Sequence, residues 1–156
     1  MRSHHISKSQ TAQTLALISE RWGFKLPRLR NLVVHDLTGG ARLMTGDGTA
    51  ILDLDGTYLP FLSCDALLER FPAVGVDKGA IRFVCNGADI MRPGIVSHGV
   101  FAKGDVVRVV EPGGKHLAVG AALADGADLE SMERGSVVKN LHYVSDRYWE
   151  AGRPLV

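Results

Sequence analysis

One stretch in the middle of the chain decides the fold: Val76–Ile95 reads V-D-K-G-A-I-R-F-V-C-N-G-A-D-I-M-R-P-G-I. Its first apolar run, Ala80–Val84, predicts a strand that ends at Asn86-Gly87. We expect one short helical turn next, which Pro93-Gly94 breaks before a further strand. Both glycines can take positive φ and admit another backbone closely. Since amides at such turns bind anions, the pattern indicates either a phosphate-binding loop or a tight corner of a β-barrel.

The residues that follow this stretch alternate short apolar runs with turn residues. Asp128–Glu133 predicts a short helix, and glycine- and proline-containing turns separate the apolar runs. Many short strands with regular turns are typical of a small barrel or sandwich. The strand candidates are Ile95–Ser97, Val106–Glu111, Leu117–Ala124 and Leu141–Val144.

The residues that precede it predict a helix and an antiparallel meander. Ser7–Trp22 has apolar residues at helical spacing, and Gly23 ends the pattern. A second, short helix is expected over Ser63–Phe71. We therefore expect two domains, residues 1–73 and 74–156. The strand candidates of the first are Leu32–Val34, Ala41–Thr45, Thr49–Leu54 and Thr57–Phe61.

Composition and charge indicate a globular protein with an uneven charge distribution. The 156 residues are 46% hydrophobic and 22% charged, with a net charge of +1. Residues 1–35 carry +5, residues 36–79 carry −4, and the remainder is neutral. A basic N-terminal segment suits a polyanionic partner, although a solvated helix face explains it equally well.

No run of eighteen apolar residues and no signal-peptide pattern occurs, so we expect a cytoplasmic protein without a membrane partner. Cys64 and Cys85 are then expected to be reduced thiols, and a disulfide between them is poorly motivated. His4 and His5 are expected in an exposed tail, and no metal site is predicted.

The segment Ile51–Thr57, I-L-D-L-D-G-T, resembles the nucleophile motif of haloacid-dehalogenase-type phosphatases. That chemistry needs Asp53 to take the phosphoryl group and Asp55 to act as acid and base. The enzyme also needs a doubly wound α/β domain and a later acidic pair, and neither is predicted here. A β-hairpin with an Asp-Gly turn is the favoured interpretation, and we expect no catalytic residue.

Three segments of the C-terminal half resemble one known family. They are V-D-K-G-A-I-R-F-V at Val76–Val84, G-A-D-I-M-R-P-G-I at Gly87–Ile95 and N-L-H-Y-V-S-D-R-Y-W at Asn140–Trp149. The region from Val76 resembles the opening of a PUA domain, an RNA-binding module named for pseudouridine synthases and archaeosine transglycosylases. All three segments together resemble the malignant T-cell amplified sequence proteins and their archaeal homologues. The N-terminal half is similar, more weakly, to the pre-PUA domain of that family.

The resemblance implies an α+β fold, with an N-terminal α/β pre-PUA domain containing the meander, followed by a PUA β-pseudobarrel. It implies a translation-associated protein that binds structured RNA, either a tRNA acceptor end or rRNA of the small ribosomal subunit. A protein partner of the density-regulated type is also implied, and no cofactor. The implied RNA contacts are Asn86, Gly87, Ala88, Met91, Arg92, Pro93, Gly94, Lys139, Asn140 and His142.

The resemblance implies roles for five of these residues. The amides of Gly87 and Ala88 would hold a phosphate, and Arg92 and Lys139 would add positive charge. Met91 either packs on a ribose or base or is buried. For His142 and Tyr143 the alternative is that one is buried in the core and the other faces out, because neighbours on a strand alternate. A protein-interaction module with weak RNA binding and, at the margin, a phosphatase remain the alternative interpretations of the whole chain.

Overall fold

The computed structural model describes every residue, Met1–Val156, and contains two β-sheets. The N-terminal sheet has five antiparallel strands arranged in chain order, so the meander predicted over residues 41–61 is confirmed. The strand predicted over Leu32–Val34 joins it, together with one strand that was not predicted. Its strands are β1 (Arg2–His5), β2 (Val33–Asp36), β3 (Arg42–Gly46), β4 (Thr49–Leu54) and β5 (Thr57–Pro60).

The edge strand β1 was not predicted, and the expectation that His4 and His5 belong to a tail is wrong. β1 pairs with β2, and the Ser3 Oγ lies 2.7 Å from Nδ1 of the buried His35. These contacts order the N-terminus, although both histidine side chains remain exposed. A strand of four polar and charged residues has no apolar alternation, which is why the sequence concealed it.

The predicted first helix is confirmed as α1 (Lys8–Trp22). Ser7 caps it in a capping box, since its hydroxyl accepts from the Gln10 amide while Oε1 of Gln10 accepts from the Ser7 amide. Leu15 and Ile18 are buried against the sheet, and Gly23 ends the helix with φ 78°.

Two Asp-Gly turns connect the hairpins of this sheet. Asp47-Gly48 has φ values of 47° and 80°, and Asp55-Gly56 has 52° and 92°. Positive φ at both central positions is the geometry of a type I′ turn, whose twist matches that of paired strands. The predicted Asp-Gly hairpin is therefore present in the segment that resembles a phosphatase motif.

The second sheet has six strands in the order β7-β11-β10-β9-β6-β8 and forms a near-closed, barrel-like layer. The pairing of β6 with β9 is parallel, and all other pairings are antiparallel. The predicted strands near residues 95, 106 and 117 are confirmed, and the strand predicted over Leu141–Val144 begins earlier, at Ser136. The strands are β6 (Ala73–Val76), β7 (Ile90–Met91), β8 (Ile95–His98), β9 (Val106–Val110), β10 (His116–Ala122) and β11 (Ser136–Tyr143).

The strand predicted over Ala80–Val84 is wrong: these residues form a 3₁₀ turn followed by α3 (Ile81–Val84). Asp77 starts the turn because its carboxylate accepts from the Ala80 amide at 2.9 Å. With that start, Val84 is buried while Arg82 and Phe83 point to solvent. Tertiary context thus overrides the β propensity of I-R-F-V.

Three smaller assignments also differ from the predictions. The helical turn expected before Pro93 is instead the short strand β7, because Ile90 and Met91 pair with β11. The short helix expected over Asp128–Glu133 is a 3₁₀ helix over Gly126–Ser131. The helix α2 (Asp65–Leu68) is confirmed but shorter than Ser63–Phe71.

The chain has two hydrophobic cores joined at one interface. Buried residues between Leu15 and Phe71 form the first core together with Val119 of β10, and residues between Val74 and Val138 form the second. The final helix, α4 (Arg147–Gly152), follows β11 but packs Tyr148 and Trp149 onto the first core. The boundary between residues 73 and 74 stays a prediction, because the C-terminal segment crosses it. None of the helices has the length and apolar character needed to cross a bilayer.

Candidate nucleic-acid interface

An apolar cavity of about 340 Å³ opens beside α3 and β7. Its rim carries two large apolar side chains that are unusually accessible, since Phe83 is 56% and Met91 47% exposed. Exposed apolar residues grouped around a concavity are typical of a binding surface. The cavity is lined by Val76, Ala80, Phe83, Val84, Ala88, Asp89, Ile90, Met91 and Gly94. We call this surface the α3–β7 face.

Three cations lie on or next to the elements that form the α3–β7 face, or next to Asn140, which binds their loop. The Arg82 guanidinium lies 4.9 Å from the centroid of the Phe83 ring, in cation–π contact. Lys78 and Lys139 are exposed, and none of these three cations forms an ion pair. The one carboxylate that lines the cavity belongs to Asp89. It accepts a hydrogen bond from the backbone amide of Asn140 at 3.0 Å.

Gly87 closes the C-terminus of α3. With φ 94°, its amide donates to Val84 O and the Ala88 amide donates to Phe83 O, both at 3.0 Å. This pair of bonds is a Schellman motif, which satisfies the last carbonyls of a helix. Neither amide is therefore free to bind a phosphate, and that prediction is wrong. A Cβ at Gly87 would also lie 3.1–3.3 Å from the Tyr143 ring.

Asn140 fixes the same loop from the neighbouring strand β11. Its Nδ2 donates to Val84 O and to Ala88 O, each at 3.0 Å. The side chain thus binds the protein's own backbone on both of its donors. Asn140 therefore positions the loop of the α3–β7 face, and its side-chain nitrogen, Nδ2, is not available to a ligand.

Arg92 points away from the cavity. Its Nε donates to Leu129 O at 2.8 Å and its Nη1 to Ile95 O at 3.3 Å. The half-buried guanidinium therefore joins β8 to the 3₁₀ helix instead of adding charge beside Gly87. Both of these nitrogens therefore bind the protein's own backbone and not a ligand.

The predicted RNA contact of His142 is wrong, because its side chain is completely buried. Its Nε2 accepts from the Leu62 amide at 3.2 Å, and its Nδ1 donates to Oδ2 of Asp146 at 2.9 Å. The ring also stacks on Phe61, with centroids 5.1 Å apart. His142 therefore joins the last strand to the first core.

The remaining predicted contacts are divided between accessible and inaccessible positions. Gly94 is half-buried and lacks the predicted positive φ; its carbonyl accepts from the Asp77 amide at 2.9 Å. The structure leaves the side chains of the others exposed, namely Asn86, Ala88, Met91, Pro93 and Lys139.

Sequence reasoning missed Arg82 and Phe83, because a strand over Ala80–Val84 would bury alternate members of the run. The signal that would have found them is Asp77 three residues before Ala80, a helix-capping spacing. Read as a helix start, the same residues place Arg82 and Phe83 away from the face of the buried Val84.

The carboxylate of Asp53 is occupied within its own sheet. It is 4% exposed; its Oδ2 lies 2.7 Å from Nη2 of Arg42, and its Oδ1 accepts from the Gly56 amide at 2.8 Å. The first contact joins β3 to β4, and the second holds the β4–β5 turn. The pKa of Arg42 is raised, mainly by its hydrogen bond to Asp53.

The two cysteines are unbridged. Cys64 is buried, and its thiol donates to Gly48 O at 3.3 Å. Cys85 is half-buried in the loop after α3, and burial raises the pKa of its thiol. A raised pKa keeps the thiol protonated and weakly nucleophilic.

Sequence comparisons relate this chain to a known protein family. The sequence model of the PUA domain matches residues 72–144. An uncharacterized protein of Methanocaldococcus jannaschii is 47% identical over 61% of this chain and 60% of its own length. Malignant T-cell-amplified sequence 2 of Mus musculus is 38% identical over 58% of this chain and 55% of its own length. Translation machinery-associated protein 20 of Saccharomyces cerevisiae is 31% identical, with 66% of this chain covering 67% of that protein. The chain belongs to the PUA-domain family of malignant T-cell-amplified sequence proteins.

Solved structures share both halves of the architecture. A hypothetical protein from Pyrococcus horikoshii superposes with a TM-score of 0.81 at 27% identity, over 96% of this chain and 99% of that one. A conserved PUA domain protein from Thermoplasma acidophilum superposes with a TM-score of 0.76 at 27% identity, over the same shares. The predicted α+β fold is thus confirmed. In sequence, matches span about 55–60% of the length of the first two relatives named above.

Proposed function

We propose that this PUA protein is a translation-associated factor that binds structured RNA through its α3–β7 face. The observation that carries the proposal is the accessible pair Phe83 and Met91 at the mouth of an apolar cavity, with Arg82 stacked on the phenyl ring. The PUA domain is an RNA-binding fold, and a yeast relative is named for the translation machinery.

Stacking of a base supplies part of the affinity for RNA in this proposal. An unpaired base stacked on Phe83 contributes about 1–3 kcal/mol, and an arginine plane beside the ring extends the platform. The cavity volume of about 340 Å³ lies at the lower end of the range of small-ligand pockets. One splayed base, instead of a run of bases, fits such a site.

Positive charge supplies the rest of the affinity for RNA in this proposal. Arg82, Lys78 and Lys139 are exposed and without an ion-pair partner, so each is available to a phosphate. Three phosphate contacts to a single strand predict a slope of about −2 when the logarithm of affinity is plotted against the logarithm of salt concentration. Such a small footprint suits a chain end, and we propose the tRNA acceptor end, or small-subunit rRNA, in the cytoplasm.

We propose no catalytic role for any residue. Both oxygens of Asp53, the residue that the phosphatase motif would use as nucleophile, are bound to Arg42 and to the Gly56 amide. The corresponding expectation is no Mg²⁺-dependent release of phosphate from a phosphate monoester. Release that disappears in Asp53→Ala would contradict it.

The first experiment is fluorescence anisotropy of the full chain with total tRNA, intact or trimmed at the 3′ end, at several salt concentrations. We expect Phe83→Ala to lose one stacked base and so to weaken binding by about tenfold. Arg82→Glu is expected to weaken binding and to flatten the salt dependence. Val100→Ala is the matched control, because Val100 is 96% exposed and does not line the cavity.

The outcomes distinguish the alternatives. Binding lost on trimming supports acceptor-end recognition, whereas binding that ignores trimming points to rRNA, to be tested with small-subunit fragments. Unchanged affinity in both Phe83→Ala and Arg82→Glu would overturn the assignment of the face. No salt-sensitive binding to any structured RNA would favour the protein-interaction module.

A further inference from the structure

A second cavity, of about 660 Å³, lies on the N-terminal half, between α1 and the segment Lys25–Leu29 that follows it. Its floor is aliphatic, because Leu15, Leu26 and Leu29 are buried beneath it. It is lined by Lys8, Ala12, Leu15, Ala16, Ser19, Lys25, Leu26, Pro27, Arg28 and Leu29. We call it the α1 groove.

Two helix hydroxyls shape the groove. Ser19 Oγ accepts from the Leu26 amide and Thr11 Oγ1 accepts from the Leu32 amide, each at 3.0 Å. These bonds hold the chain that follows α1 beside the helix at two points, Leu26 and Leu32. Ala12 and Ala16 are exposed between those points, and their short side chains leave the space open.

The rim of the groove is entirely basic. Lys8, Lys25 and Arg28 are its charged residues, and no carboxylate lines it. None of the three forms an ion pair, and Glu20 is the single acid among residues 1–35. Three unpaired cations around an aliphatic floor complement an anionic partner that also presents apolar side chains.

We propose that the α1 groove binds an acidic amphipathic helix of a protein partner. Apolar residues of that helix, four apart, would enter the aliphatic floor, and its flanking carboxylates would pair with Lys8, Lys25 and Arg28. The floor argues against RNA as the occupant, because no aromatic side chain lines the groove and bases bind to protein surfaces largely by stacking.

The length of the partner follows from the helix that forms one wall. The lining residues of α1 run from Lys8 to Ser19, a span of about 16 Å at 1.5 Å per residue. A parallel or antiparallel partner helix matches that span with about three turns. The partner segment is therefore short, with two or three apolar side chains on one face.

The test is selection of displayed random peptides of about 12 residues on the immobilised full chain. We expect the selected peptides to be rich in Asp and Glu, with apolar residues three or four apart. A selected peptide is then synthesised and measured by anisotropy. We expect Ala16→Glu, and separately the pair Lys25→Glu and Arg28→Glu, to weaken its binding by about tenfold or more.

The matched control is Gln13→Glu, which adds the same charge as Ala16→Glu on the same helix but outside the groove. Its peptide affinity should stay near that of the parent chain, and thermal unfolding should confirm that each variant is folded. Selected peptides without an acidic bias, or equal loss in Gln13→Glu, would overturn the proposal. So would a 12-nucleotide oligouridine whose binding is lost in Ala16→Glu but kept in Phe83→Ala.

Discussion

At the scale of single residues, Gly87 combines two requirements that only glycine meets. Its φ of 94° belongs to the left-handed region, and a Cβ would lie 3.1–3.3 Å from the Tyr143 ring. The first requirement comes from the helix cap and the second from packing of β11 behind the loop. The two requirements arise from different parts of the chain, and each excludes a side chain at position 87.

We expect Gly87→Ala to lower the free energy of unfolding by about 2–3 kcal/mol, of which about 1–2 comes from the positive φ. Gly104→Ala is the matched control, because Gly104 also has φ 94° but a Cβ there meets nothing within 4 Å. Urea unfolding of both variants isolates the contact with Tyr143. Equal losses in the two variants would show that the contact with Tyr143 adds nothing.

At the scale of elements, the geometry of α3 depends on the strand beside it. A helix of four residues is too short to be stable alone. Asp77 caps its preceding turn, and Asn140 on β11 binds the carbonyls of Val84 and Ala88 at its far end. The direction in which Phe83 points is therefore set by contacts at both ends.

We expect Asn140→Ala to cost about 1–3 kcal/mol, because two carbonyls lose their side-chain donor. The variant should also exchange the amide hydrogens of residues 85–89 faster and bind RNA more weakly. Hydrogen exchange and urea unfolding measure the first two effects. Lys139→Ala is the stability control, one residue earlier on the same strand with an exposed side chain. Unchanged exchange in Asn140→Ala would contradict a positioning role.

At the scale of the whole molecule, a buried hydrogen-bonded chain joins the two halves. Leu62 of the first core donates to His142, which donates to Asp146, the residue that caps α4 through the Trp149 amide at 2.7 Å. Burial raises the pKa of Asp146, but hydrogen bonds from His142 and from two backbone amides outweigh it, so the pKa lies below its usual value. The carboxylate is thus held in its charged form.

This lowered pKa makes stability depend on pH in a stated direction. The unfolded carboxylate takes a proton near pH 4, whereas the folded one resists protonation, so stability is lost as the pH falls below about 4. We expect Asp146→Asn to be less stable at pH 7 and to lose less stability between about pH 5 and pH 3. Urea unfolding across this range measures both effects. Asp128→Asn, at an exposed site, should follow the parent chain; identical curves for Asp146→Asn and the parent would contradict the assignment.

By itself the sequence determined the first helix, the meander with its Asp-Gly turns, most strands of the second sheet and, through three segments, the family. These features rest on local rules: capping by Ser7, positive φ at Asp-Gly turns and apolar periodicity. Such rules act within a few residues of one another, so a single stretch of sequence is enough to reveal them.

The tertiary structure alone decided the accessible residues of the candidate site. The direction in which Phe83 points and the burial of His142 depend on Asn140 and Leu62, which are distant in sequence from Val84 and from His142, the residues they bind. A side chain with several possible partners takes the one that packing brings close. That choice is made by the assembled sheets and not by local propensity.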